Sequence, residues 1–277
     1  MLTNMTRTRA LVHYHIFKNA GSSVDASLKR SFGEAWGSFE GSHAHDIQGA
    51  EQLRGYMLAH PGYKAISSHL ARPPLPFEDS LPIVFIRHPL LRAYSVYLFT
   101  RRDPQQPFAE VAANVGFADY IRRALREEAG SIVIRDYQVV HLSEASWRCG
   151  HILEARAGEA DLAEACALLD RWGMAGVVEQ YERSIDTYQA LYAPLLPGLK
   201  LAYDRENVSQ PDAASVPAQL ERLEALLGRE LHARFMASNA LDLALHRHAS
   251  AVLARASRPA GQGDPLHVRS YTTATRS

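Results

Sequence analysis

The chain has 277 residues, 47% of them hydrophobic, which is enough for one large domain with its own core. Its 30 basic and 30 acidic residues cancel, so it lacks the basic excess of a general nucleic-acid binder, and no nucleic-acid partner is expected. Two cysteines, Cys149 and Cys166, with no Cys-x-x-Cys spacing, suggest neither a disulfide framework nor a thiolate metal site and fit a reducing compartment.

In chain order, the polar residues 1–9 precede an apolar run too short and too rich in histidine for a secretion signal, and no later run is long enough to span a bilayer. The expectation is a cytoplasmic protein without a membrane anchor. Leu11–Phe17 reads as a buried strand, Val24–Ser31 as a helix, and Gly33–His45 as a Gly/Ser/His-rich loop. A helix over Asp46–Ala59 is followed by a second strand at Lys64–His69. The third strand, Leu81–Arg87, leads into a helix that opens on Pro89, where proline is tolerated. Helices are predicted over 107–114, 117–129, 132–142 and 161–172, then a fourth strand at Gly173–Glu179, a helix over 182–192 and a fifth strand at Leu199–Tyr203. Two long helices, Val216–Leu227 and Glu230–Arg255, close the fold, and residues 257–277 form a Gly-, Pro- and Thr-rich tail. Short apolar strands alternating with helices predict one α/β domain over 1–277. Its mainly parallel central sheet is flanked by helices, with a helical insertion near 103–172 and a helical C-terminus.

The stretch with most chemical content joins the first strand to the first helix. Lys18, Asn19, Ala20, Gly21, Ser22 and Ser23 form a strand, tight loop and helix start, the geometry that turns backbone N–H groups toward an anion. The chain has four lysines among its 30 basic residues, so a lysine in this loop points to a need for a compact ammonium. Taken alone, such a loop is as often a plain structural turn. A second basic feature follows the third strand: Arg87 at its carboxyl end and Ser95 two turns into the next helix. In open α/β sheets ligands bind at this end of the strands. The loop has no Gly-x-x-x-x-Gly-Lys-Ser/Thr order, and Arg87 stands where a Walker-type NTPase places an Asp for Mg²⁺. These features describe a nucleotide with two anionic ends, held by positive groups, with no metal required.

His15-Ile-Phe-Lys-Asn-Ala-Gly-Ser-Ser23 resembles the 5′-phosphosulfate loop of sulfotransferases that use 3′-phosphoadenosine 5′-phosphosulfate, and Ile83-Val-Phe-Ile-Arg-His-Pro-Leu-Leu-Arg-Ala-Tyr-Ser-Val-Tyr97 resembles their 3′-phosphate motif. The carbohydrate branch that includes heparan sulfate 2-O-sulfotransferases is the most similar. Ile66-Ser-Ser-His-Leu70, Gly176–Ile185 and Leu201–Val208 echo its later segments in order. The resemblance implies a P-loop-like three-layer fold and transfer of a sulfuryl group to a hydroxyl on a small-molecule or saccharide acceptor. It assigns Lys18 to the leaving oxygen, the backbone of residues 20–23 to the phosphosulfate, Arg87 and Ser95 to the 3′-phosphate, and His69 to the catalytic base. Two departures stand out: Phe17 replaces a proline, and His88 replaces an aspartate, which removes a buried acidic partner. The rival readings are a P-loop-like kinase or nucleotidase and a non-catalytic nucleotide-binding protein of the same fold.

Other features rank lower. His13 with His15, His43 with His45 and His246 with His248 are His-x-His pairs, but no carboxylate or thiolate completes any of them in sequence, so no metal site is expected. Arg101 and Arg102 are expected to be solvated at a helix end. Arg135, Tyr137 and Gln138 are candidates to line an acceptor cleft.

Overall fold

The computed structural model describes residues 9–41, 46–126, 131–148, 155–203 and 215–258. Five parallel strands form one sheet: β1 (Leu11–Tyr14), β2 (Trp36–Ser38), β3 (Ala65–Ser68), β4 (Leu81–Ile86) and β5 (Gly176–Val177), in the spatial order β2-β3-β1-β4-β5. β1 lies at the centre, with Leu11 opposite Ala65 of β3 on one side and Leu81 of β4 on the other. Every residue of β1, β3 and β4 is buried, which is why β4 reads as a continuous apolar run and β1 as one broken only by His13.

The helices are α1 (Gly21–Phe32), α2 (Ala50–Ala59), α3 (Pro89–Thr100), α4 (Ala109–Asn114), α5 (Phe117–Ala124), α6 (Tyr137–Leu142), α7 (Glu159–Trp172), α8 (Tyr181–Tyr192), α9 (Val216–Leu227), α10 (Arg229–Ala237) and α11 (Ala240–Ala256). They flank the sheet in a three-layer α/β arrangement, as expected. The main core joins the strands to α1, α2, α7, α8 and α11. A second apolar cluster joins α3, α4, α5, α9 and α10.

Three element predictions are corrected. Trp36–Ser38, read as loop, is the edge strand β2; three residues are too few to show a period. Leu199–Tyr203, read as a strand, pairs with no strand, because side chains satisfy its backbone. Ser31 Oγ donates to the Lys200 carbonyl at 3.0 Å, the Ala202 N–H donates to Ser27 Oγ at 3.2 Å, and the Leu201 N–H donates to Gln189 Oε1 at 2.8 Å. The single helix expected over Glu230–Arg255 is broken between α10 and α11. There the buried Asn239 donates to the Phe235 carbonyl at 3.1 Å and accepts the Asp136 N–H at 3.2 Å, tying off α10.

The chain order makes a switch point. The connection after β1 runs through α1 to β2 on one side, and the connection after β4 runs through α3 toward β5 on the other. The carboxyl ends of β1 and β4 therefore open a crevice between diverging connections, the place where parallel α/β sheets take ligands.

Candidate functional site at the switch point

The loop between β1 and α1 holds two non-glycine residues in the left-handed region, Lys18 (φ 65°) and Ala20 (φ 63°). Each conformation costs about 1–2 kcal/mol, and such strain persists where the surroundings demand it. Helix α1 starts at Gly21 with no side-chain cap. The Ser23 N–H already reaches the Ala20 carbonyl at 3.1 Å, so Gly21 and Ser22 supply the first amides of the helix. Ser22 is exposed at this end, whereas Ser23 is buried.

Lys18 and Arg87 meet. Arg87 Nη1 donates to the Lys18 carbonyl at 3.0 Å, joining the end of β4 to the loop after β1. The Lys18 ammonium lies 4.5 Å from the centre of the Phe99 ring. Burial, with the charges of Arg87 and Arg102, lowers its pKa to about 8. Arg102 is exposed, as expected, yet its field reaches the loop lysine. Lys18, Arg87 and Arg102 thus gather positive charge at the crevice. Ser95 is buried on α3, two turns beyond Arg87.

Asn19 turns inward. Its Nδ2 donates to the Phe85 carbonyl and to Gln138 Oε1, both at 2.7 Å. The side-chain amide braces this cofactor-loop residue against β4. Gln138, expected at an acceptor cleft, is fully buried instead. Its Oε1 accepts the Arg87 N–H at 2.8 Å, and its Nε2 donates to the Arg87 carbonyl at 2.9 Å and to Asp242 Oδ2 at 3.1 Å. Tyr137 lies under the buried guanidinium of Arg92, 4.8 Å from its ring centre. Arg92 in turn donates to the carbonyls of Phe17 and Val133. Arg135 donates to the Leu125 carbonyl.

The acid that His88 seemed to remove returns from the turn just after β5. Glu179 Oε1 accepts the His88 N–H at 3.0 Å, and Oε2 meets His246 Nε2 at 3.0 Å. Burial pushes the Glu179 carboxyl up, but His246, Arg87 and the His88 amide outweigh it and hold the group ionised. A carboxylate therefore still faces Arg87 electrostatically. Glu179 was detectable as an acid at the carboxyl end of a parallel strand.

His69 follows β3 and is exposed. Glu40 Oε1 lies 3.1 Å from its Nδ1, and both Glu40 oxygens accept the His69 N–H, at 3.0 and 3.1 Å. A carboxylate on Nδ1 favours the tautomer that leaves Nε2 free to take a proton. The ring stacks on His15 at 3.7 Å between centres, and the edge of His15 lies against Gly21. A Cβ on Gly21 would sit 2.0 Å from His15 Cδ2. The glycine is thus required by an imidazole. His69 and Lys18 flank the same loop, one from the β3 side through His15, the other from the α3 side beside Arg87.

Asp25 is the largest omission of the sequence reading. Its carboxylate meets His13 Nδ1 at 2.7 Å and His15 Nδ1 at 2.8 Å, so a carboxylate does complete this His-x-His pair. The signal was an acid one position from Val24 and three from Leu28, on the inward side of α1. His246 and His248 pair separately with Glu179 and Asp170. His43 and His45, Cys149, the segment 204–208 and the tail from 259 lie outside the described residues.

No helix among the described residues is long and apolar enough to cross a membrane. No known protein-family model matches the chain. The chain is similar to an uncharacterized protein of Archaeoglobus fulgidus, 26% identical over 246 residues that cover 85% of this chain and 93% of that protein.

Proposed function

We propose that this protein is a cytoplasmic sulfotransferase that binds 3′-phosphoadenosine 5′-phosphosulfate at the switch-point crevice and moves its sulfuryl group to an acceptor hydroxyl, with a carbohydrate as the favoured acceptor class. The observation that carries this reading is the Arg87–Lys18 junction, which brings cationic side chains from two strand ends to one crevice. Supporting it, β3 ends in Ser67 and Ser68 and runs into His69, and β4 runs into Arg87, so neither neighbour of β1 ends in the carboxylate that an Mg²⁺–nucleotide site uses.

In this reading the amides of Gly21 and Ser22 and the Lys18 ammonium face the 5′ end, and Arg87 with Ser95 faces the 3′-phosphate. The acceptor oxygen attacks sulfur as the bond from sulfur to the bridging oxygen breaks. The electron pair of that bond passes to the 5′-phosphate oxygen, where Lys18 stabilises the growing charge. His69 Nε2 takes the hydroxyl proton, with Glu40 holding Nδ1. The test is incubation with donor labelled in the sulfuryl sulfur and a panel of saccharides. Label transfer that Lys18→Ala abolishes supports the reading; transfer of the γ-phosphate of ATP instead would make the protein a kinase.

A further inference from the structure

His13 and His15 are two residues apart on extended backbone, so both imidazoles leave the same face. Asp25, one turn into α1, reaches back to both. Its two oxygens lie 2.7 and 2.8 Å from the two Nδ1 atoms. The three potential ligand atoms all fall within 4.8 Å of one another. Both histidines are buried, and Asp25 keeps 20% of its side chain exposed, which leaves an approach from solvent.

We propose that His13, His15 and Asp25 form a binding site for a divalent transition-metal ion of the zinc class. Two imidazole nitrogens and one carboxylate suit zinc or ferrous iron, whereas Mg²⁺ and Ca²⁺ prefer all-oxygen sets. On binding, the Nδ1 protons that face the carboxylate pass to water, and the three ligand atoms part from their hydrogen-bond spacing until each stands about 2.0–2.2 Å from the ion. Three protein ligands leave a coordination position for water. The ion fixes the His15 ring, which carries His69 on its face at 3.7 Å and meets Gly21 at its edge. Metal binding is thereby linked to the loop and to the exposed histidine. This inference is independent of the donor nucleotide.

The test uses the full chain, freed of metal by chelation and then of chelator. Zn²⁺ is titrated by calorimetry, and Co²⁺ by visible absorption. The expected result is saturable binding of one ion per chain with a ligand-field spectrum. Asp25→Asn and His13→Asn are each expected to weaken it by more than the roughly 10-fold that even an outer-shell substitution costs. His248→Asn, at a surface pair with Asp170, is expected to leave binding unchanged. Absence of saturable binding, or stoichiometric binding that survives both substitutions, would overturn the proposal and leave the triad as a hydrogen-bonded brace. Should the variants not fold, nitrogen NMR of the unsubstituted protein decides: Zn²⁺ must move the Nδ1 resonances of His13 and His15, and movement confined to other histidines refutes the site.

Discussion

The Arg87 guanidinium donates to the Lys18 carbonyl at 3.0 Å, locking the end of β4 onto the strained loop after β1. Arg87→Ala removes that bond and one of the charges at the crevice. A hydrogen bond to a charged group contributes about 1.5–3 kcal/mol, so affinity for adenosine 3′,5′-bisphosphate should fall by roughly 10- to 100-fold. Arg87→Lys should not restore it, because an ammonium lacks the planar fork that serves loop and ligand together. Isothermal titration of the three proteins checks this.

Lys18 supplies a pH prediction. Burial, then Arg87 and Arg102, depress its pKa to about 8, so the proton is lost as pH rises through that value. Binding of adenosine 3′,5′-bisphosphate should be strong below about pH 8 and weaken above it, when the amine is neutral. Arg102→Ala removes one repelling charge and should move the midpoint upward. Binding that stays flat well past this range would contradict the assignment of Lys18 to the anion.

Gly21→Ala should destabilise the protein by about 1–3 kcal/mol, as overpacking does, because its Cβ would enter the His15 ring. Truncating the ring tests the cause. In a His15→Ala background the same substitution should cost much less, and a double-mutant cycle by urea denaturation measures the coupling. Equal costs in both backgrounds would refute the steric account.

Gln138→Leu should cost at least about 3 kcal/mol, since it strands an Asn19 donor, the Arg87 N–H and the Arg87 carbonyl in the interior. The denaturation midpoint reports it.

Asp136 responds to pH in the opposite sense. Burial, then the charge of Asp242, raises its pKa to about 7. Between its ordinary range and that value the folded state holds a proton that the unfolded chain has lost. Its contribution to stability therefore falls as pH rises toward 7 and is lowest above it. Asp136→Asn keeps an oxygen for the Asp242 N–H, now accepted at 2.9 Å, and suits the positive φ of 40°. A gain of about 1 kcal/mol, or about 2–4 °C in Tm, should appear by pH 8 and vanish near pH 4.

What the chain reveals on reading follows from range. β1 and β4 are legible because strands buried on both faces are largely apolar, and the loop at Lys18 is legible because its residues are contiguous. β2 is too short to carry a period. The residues that brace the site come from far along the chain: Gln138 reaches Asn19 across 119 positions, and Asp242 holds Gln138 across 104. No local pattern encodes such pairings. Asp25 was nearer to hand, since an acid on the inward side of α1 needs a partner, and His13 and His15 are that partner.

The most direct test of the central claim is thermal unfolding with adenosine 3′,5′-bisphosphate, adenosine 5′-phosphate and ATP, each with and without Mg²⁺. The expected result is stabilisation by the bisphosphate without Mg²⁺, reaching about 2.7 kcal/mol at one hundred times Kd. Adenosine 5′-phosphate, which lacks the group assigned to Arg87 and Ser95, should stabilise far less. Stabilisation by ATP with Mg²⁺ alone, and none by the bisphosphate, would contradict the account.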